Sequence, residues 1–386
     1  MTAGSSILFV AGEASGDMHG AALVAELKKR RPSLSCYGIG GDQMQKAGVQ
    51  LIRHSKEIAF LGFFEVLRHF PLIRRVFKDM TGLLDTNKPD LVVLIDYPGF
   101  NLRFAREVKK RGIPIFYYIS PQVWAWGKGR VPKMAKWIDR IAVIFPFEES
   151  IYRSVGMQVR YVGHPLKDRV KSTQSKTDFL KGLCLNPACP TIGLLPGSRK
   201  QEVRILLPEM VQAYKKLLRD IPKLQAVVGM APTLAPSDYE MPAVESGSIR
   251  TVHCQTYDVM KHSDAVMVAS GTATLETAIL GTPMVILYKM SFLSYLLGKT
   301  LVKIKNIGLV NIVAEKTVVP ELIQKQANAG RIAEVVRPLL MDNTTNETIR
   351  RELAVVSERL GGGGASARTA EWVLDMMDSK PDVSLG

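Results

Sequence analysis

The chain has 386 residues but only four cysteines, Cys36, Cys184, Cys189 and Cys254, scattered without a paired short spacing. That excludes a zinc framework or a disulfide scaffold and suits a reducing cytosol. Met1–Ser6 lacks the basic and then apolar stretch of a secretory leader. No uninterrupted apolar run approaches the ~18–20 residues of a spanning helix. Asp-x-Asp, His-Glu-x-x-His and cysteine clusters are absent, so no metal and no cofactor is expected. A Gly-x-Gly-x-x-Gly turn, a P-loop ending and a nucleophile elbow are missing too.

What is present is positive charge. Fifty-one Lys and Arg face 36 Asp and Glu, a net +15. Such a balance favours an anionic partner: nucleic acid, a membrane surface or a phosphorylated substrate. The basic residues are spread along the chain without a nucleic-acid module, which argues against nucleic acid. The length calls for two domains. Short apolar runs at Ile7–Ala11, Leu91–Ile95, Ile115–Ile119 and Ile141–Ile144 alternate with helical patterns. The pattern repeats at Thr191–Leu195, Gln225–Val228, Ala265–Ala269 and Met284–Leu287. Two α/β units with parallel sheets follow. Their boundary is expected within Gly163–Pro190, with a second break at the four glycines Gly361–Gly364 and a last amphipathic helix at Ala365–Met377.

Open parallel sheets bind ligands beyond the carboxyl ends of their strands. After Ala265–Ala269 come Ser270, Gly271 and Thr272, then a helical pattern stopped by Gly281 and Pro283. Gly271 permits a tight turn, Ser270 or Thr272 can cap the helix, and its first N–H groups suit a phosphate. Glu276, one turn further in, would repel that phosphate but accept hydrogen bonds from a diol. An ordinary capped helix with a solvated Glu explains the same residues. After Thr191–Leu195, Gly197, Ser198 and Arg199 make a second phosphate-suited loop, Arg199 offering a bidentate fork, or a plain polar turn.

Asp96 closes the apolar run Leu91–Ile95 ahead of Tyr97-Pro98-Gly99. It reads as a general base or, equally, as turn chemistry. Ala11–Gly20, with Ser15, Gly16, Asp17 and His19, joins a strand to a helix, and His19 alone reads as a helix-face residue. Ser120–Gly127 holds Gln122, Trp124 and Trp126; the tryptophans suit sugar stacking or a membrane interface if exposed and packing if buried. Ile58–Met80 is rich in large apolar residues, among them Phe63, Phe64, Leu67, Phe70, Ile73 and Phe77, interleaved with Arg68, Arg74, Arg75 and Lys78. It reads either as a membrane-docking amphipathic stretch or as a core-facing helix pair. Phe292–Leu309 is a weaker second stretch of this kind.

Taken together, Ala11–Asp17, the Asp96 strand end, Ile119–Trp126, Val162–Pro165, Leu195–Arg199, Ser270–Glu276 and Gly364–Ser366 resemble the lipid-A-disaccharide synthase family over nearly the whole length. The resemblance implies a GT-B fold, two Rossmann-like parallel-sheet domains facing across a cleft. It divides the chain into an acceptor and membrane-facing domain (1–168), a UDP-sugar domain (188–360) and a tail (365–386) packing back on the first. It implies inverting, metal-independent transfer from UDP-2,3-diacylglucosamine to 2,3-diacylglucosamine 1-phosphate at the cytoplasmic face of the inner membrane. A transferase acting on another lipid-linked acceptor, such as a peptidoglycan precursor, is the nearest alternative. By position, Asp96 becomes the base, and Gly197, Ser198, Arg199, Ser270, Gly271, Thr272, Glu276 and Asn311 become the donor site. Ser15, Gly16, Asp17, His19, Gln122 and Trp124 fall to the acceptor side. Leu309-Val310-Asn311 departs from the family's commoner Leu-Pro-Asn, which leaves the role of Asn311 least secure.

Overall fold

A computed structural model describes residues 5–57, 69–124, 127–239, 249–289 and 306–379. The chain separates into two units, Met1–Asp168 with Gly362–Gly386, and Arg169–Gly361.

In the first unit, β1 (Ser6–Ala11), β2 (Ser35–Gly40), β3 (Gln50–His54), β4 (Leu91–Ile95), β5 (Ile115–Tyr118), β6 (Arg140–Val143) and β7 (Gln158–Tyr161) form one sheet. Its order is β3-β2-β1-β4-β5-β6-β7, with every pair parallel. Ile7 to Ala11 and Leu91 to Ile95 are all 0% exposed, so both faces of the central strands are covered, as an all-parallel sheet requires. The strand order reverses between β1 and β4, the place where an open α/β sheet leaves a crevice for ligand.

The second unit repeats the plan. β8 (Thr191–Leu195), β9 (Gln225–Met230), β10 (Ile249–His253), β11 (Ala265–Ala269), β12 (Met284–Tyr288) and β13 (Glu321–Ile323) run in the order β10-β9-β8-β11-β12-β13. All pairs are again parallel, and the reversal lies between β8 and β11.

Five strands, β2, β3, β7, β10 and β13, have no counterpart in the sequence reading. β2 contains Gly38 and Gly40, which weaken any strand signal, yet the sheet needs Gly38. A Cβ there would lie 2.1 Å from the Phe9 carbonyl oxygen on β1.

The apolar stretch expected to meet a membrane divides. Phe63, Phe64 and Leu67 lie outside the described residues, as do residues 292–305 of the second stretch. The helix Phe70–Thr86 turns Val76, Met80 and Leu84 into the core, while Phe70 (50%) and Leu72 (37%) are exposed. Ile73 and Phe77 are half-buried. Phe77 meets Phe100 and Phe104 edge-on, with ring centroids 5.5 and 6.1 Å apart. Phe77 is therefore tied to the neighbouring helix Pro98–Lys110. Among the described residues, no helix is long and apolar enough to cross a membrane.

The helix Ala365–Asp378 packs on Ala14–Arg30 and seals one face of the first sheet. Trp372, 7% exposed, meets Phe116 edge-on at 5.2 Å. The Arg140 and Arg160 guanidinium groups lie 5.6 and 5.1 Å from its ring centroid, and Arg140 also pairs with Asp375 at 2.6 Å. Trp372→Ala is expected to lower the unfolding free energy of this unit by about 3–5 kcal/mol, read from its denaturant transition. A loss below about 1 kcal/mol would mean that the helix is not part of the core.

Candidate active site

Asp96 follows the last residue of β4, whose neighbour across the reversal is Ala11 of β1. Its backbone and that of Tyr97 are both left-handed, at φ 46° and 47°, a costly conformation for residues other than glycine. Three partners hold it. The Asp96 N–H donates to the Tyr118 carbonyl at 3.1 Å. The Asp96 carbonyl accepts from Asn101 Nδ2 at 2.7 Å and from the Tyr117 hydroxyl. Asn101 is fully buried and also reaches the Ile95 carbonyl at 3.2 Å. The turn directs the Asp96 carboxyl into poorly solvated surroundings, and burial first, with the nearby Glu13 carboxylate second, pushes it up to about 6. Tyr97 lies against Gly12, where a Cβ would come within 2.2 Å of its ring.

The remaining residues expected on the acceptor side separate by chemistry. Asp17 is 7% exposed and does not offer its carboxylate to a ligand. Oδ1 accepts the N–H groups of Gly41 (2.7 Å) and Met44 (2.9 Å), and Oδ2 accepts that of Gln43 (3.0 Å). It closes the start of the helix Asp42–Lys46, which corrects its assignment to the acceptor cleft. Ser15 is exposed and Gly16 buried. His19 is half-buried, and its charge adds to burial in pushing His164 down to about 3. Gln122 is exposed, whereas Trp124 is half-buried. Its indole meets Phe145 and Phe147 edge-on at 6.4 and 5.5 Å and donates to Glu148 Oε1 at 3.2 Å. Trp124 thus packs, and Trp126 lies outside the described residues.

Glu148 had no role in the sequence reading. It is 1% exposed and accepts from Ser120 Oγ at 2.8 Å and from the Phe145 N–H at 3.1 Å. Burial raises it to about 7 against those hydrogen bonds. It ties the loop after β5 to the loop after β6.

In the second unit the two expected phosphate-suited loops follow the two strands that flank the reversal. Val268 of β11 pairs with Leu195 of β8, so Ser270–Thr272 and Gly197–Arg199 leave adjacent strand ends. Neither Ser270 nor Thr272 caps the helix Thr272–Leu280. Gly271 is its N-cap at φ 150°, and among the described residues no side-chain cap bonds its first N–H groups. Thr274 Oγ1 donates back to the Gly271 carbonyl at 2.8 Å, which leaves the positive end of the helix uncapped by side chains. Around the other loop, Tyr239 donates to the Gly197 carbonyl at 3.2 Å and Thr233 to that of Ser198 at 3.0 Å. Arg199 is exposed and pairs with Glu202 at 3.1 Å. Glu202 also accepts the Ser198 N–H at 3.2 Å, so a bound anion would compete with it for both donors.

Glu276 is half-buried and accepts from the Tyr257 hydroxyl at 3.1 Å. Burial raises its pKa, opposed by that hydrogen bond and by the Arg169 charge. Asn311 departs from expectation. It is 0% exposed; Nδ2 donates to the Val319 carbonyl (2.8 Å) and Glu321 Oε1 (2.7 Å), and Oδ1 accepts the N–H groups of Val318 (2.8 Å) and Val319 (3.0 Å). An amide has two donors and two acceptor sites, and all are in use. Asn311 braces the segment leading into β13, which corrects its assignment to the donor site.

Two Rossmann-like units, one with a half-buried carboxylate at its strand-order reversal and the other with paired anion-suited loops, give the double-unit architecture of GT-B glycosyltransferases. The chain matches the calicheamicin glycosyltransferase CalG4 with a TM-score of 0.62 at 17% identity over 97% of this chain and 98% of that one. It matches a UDP-GlcNAc 2-epimerase from Neisseria meningitidis bound to UDP-GlcNAc with a TM-score of 0.64 at 13% identity, over 96% and 100% of the two chains. The lipid-A-disaccharide synthetase family model matches residues 7–362. A lipid-A-disaccharide synthase of Geobacter metallireducens is 46% identical over 97% of this chain and 98% of its own length. One of Geobacter sulfurreducens is 45% identical over 96% and 97%. The chain belongs to this family and is a glycosyltransferase of lipid A disaccharide synthesis.

The raised pKa of Asp96 has a consequence for stability. A carboxyl whose folded pKa of about 6 lies above its unfolded value of about 3.9 favours folding only while protonated. Its contribution is present below about pH 4 and is lost as the pH rises past about 6. Asp96→Asn is therefore expected to raise the unfolding free energy by on the order of 2 kcal/mol at pH 7.5, with the gain vanishing near pH 4. A gain independent of pH would contradict the burial of a charged carboxylate.

Proposed function

We propose that the protein transfers 2,3-diacylglucosamine from UDP to the 6-hydroxyl of 2,3-diacylglucosamine 1-phosphate, with inversion. The products are the β-1,6-linked disaccharide 1-phosphate and UDP. The observation that carries this reading is Asp96: a half-buried carboxylate raised to about 6, fixed in a strained turn at the strand-order reversal. Such a group is ionised near neutral pH yet basic enough to take a hydroxyl proton. In the reaction, an Asp96 carboxylate oxygen takes the proton of O6, and O6 forms the new bond to the donor's anomeric carbon. The bond from that carbon to the phosphate oxygen breaks, and its electron pair leaves with UDP. One base and one displacement invert the centre.

The second unit serves the leaving group. Arg199 and the uncapped N–H groups of the helix Thr272–Leu280 neutralise the charge that develops on the diphosphate. Glu276, held by Tyr257, accepts from the ribose hydroxyls. The solved structures of similar fold that contain UDP or a UDP-sugar support a nucleotide in this role. Both lipid substrates reside in a bilayer, and the exposed Phe70 and Leu72 with the net charge of +15 support peripheral docking at the cytoplasmic face of the inner membrane.

Purified protein mixed with the two acylated glucosamines should release UDP. Asp96→Asn should lower turnover by ~10²–10⁴-fold, the usual contribution of a general base, while the UDP dissociation constant stays within about twofold, a change under 0.5 kcal/mol. Absence of UDP with this pair, and its release with another lipid-linked acceptor, would replace the reading. Equal loss of turnover and UDP binding would remove Asp96 from the role of base.

A further inference from the structure

Two cavities adjoin the Asp96 turn. The first, about 450 Å³, is walled by Phe70, Ile73 and Phe77 of one helix and by Tyr97 and Phe100 beyond β4. Arg74 and Arg103 also line it. The second, about 480 Å³, carries Arg103, Arg106, Arg130 and Lys133 over apolar surface that includes Met134 and Trp137. Phe77, Gly99 and Arg103 line both, so the two are neighbours with Arg103 at their junction. Each volume falls within the ~300–1,000 Å³ of small-ligand sites.

The charges point to an anion. Four cations meet one carboxylate in the second cavity, Glu107, and that carboxylate is engaged by Lys110 at 2.7 Å and Arg111 at 3.4 Å. Arg103 and Arg106 share one helix face three residues apart. Both are exposed and form no ion pair among the described residues. Two unpaired guanidinium groups side by side on one helix face cost repulsion that a bound anion relieves. An apolar groove opening onto that cationic surface suits a molecule with an acyl chain and a phosphate on one frame. Its position selects the molecule, because Tyr97 and Gly99 belong to the turn that Asp96 begins. Both cavities thus border the segment that directly follows Asp96.

We infer that these cavities form the acceptor site: an acyl chain lies in the Phe70–Phe77–Phe100 groove, and the phosphate of the glucosamine 1-phosphate pairs with Arg103 and Arg106. The inference rests on the transfer reaction proposed above and names where one substrate sits. Arg103 fixes the phosphate, and the length of the groove sets which acyl chains enter.

The test is equilibrium binding of 2,3-diacylglucosamine 1-phosphate in detergent micelles without donor, so that its outcome does not depend on turnover. Two variants suffice. Arg103→Ala removes the phosphate partner. Gly99→Leu fills the groove: Gly99 is exposed, a Cβ there meets nothing within 4 Å, and leucine suits a helix better than glycine. Arg103→Ala should weaken the acceptor by about tenfold, as expected for a lost charged hydrogen bond, and leave the analogue lacking phosphate unchanged. Gly99→Leu should weaken the long-chain acceptor and spare a short-chain one. Unchanged acceptor binding in both variants overturns the inference. So does equal weakening by Arg103→Ala with and without the phosphate, or an effect confined to partitioning onto anionic phospholipid vesicles, which would make the surface a membrane contact. Wild-type protein that binds the acceptor by these rules but releases no UDP would instead refute the proposed reaction.

Discussion

The desolvation of one carboxylate is the constraint around which the first unit is arranged. Left in water, Asp96 would be too weak a base to take a hydroxyl proton usefully. Half-buried at the end of β4 with Glu13 nearby, it moves to about 6. That placement requires two successive left-handed residues, and the strain is held by Asn101 and Tyr117, which fasten the Asp96 carbonyl from below. Tyr97, carried round by the same turn, packs over Gly12 and becomes a wall of the groove. The strand-order reversal between β1 and β4 opens the space in which this happens.

The second unit uses the same topology for the opposite electrostatic purpose. Its reversal gathers N–H groups and Arg199 where the first gathers carboxylates. The contrast follows from what comes after each strand: Asp96 after β4, but Gly197–Arg199 after β8 and Ser270–Thr272 after β11. In the proposed transfer the proton acceptor and the stabiliser of the leaving group are separate tasks, assigned to separate units of the chain.

Much of this was legible in the residues. Apolar runs such as Leu91–Ile95 and Ala265–Ala269 fill buried strands because both faces of a parallel sheet are covered. A charged or glycine-rich loop directly after such a run falls at the functional edge. What stayed hidden is how polar side chains divide their hydrogen bonds. Asp17 stands within a family-like segment and Asn311 in one that departs from the family pattern, but their partners are brought close only by folding, and both are used up inside the scaffold. Glu148 gave no signal because its partners, Ser120 and Trp124, are more than twenty residues away. β2 was masked by the glycines that its close approach to β1 demands. The alternation in the helix Phe70–Thr86 marked an amphipathic element correctly, but not that Phe77 would be held by the neighbouring helix.

The most direct test of the central role of Asp96 is the pH dependence of kcat/KM for the acceptor, measured for the wild type and for Glu13→Gln. A base must be unprotonated, so activity should rise with pH through an apparent pKa near 6 and then level off. Removing the like charge of Glu13 should move the rise to lower pH, only in part because burial is the larger cause. A profile flat from about pH 5 to 8, or one that ignores Glu13, would show that the buried carboxylate is not the group that takes the proton.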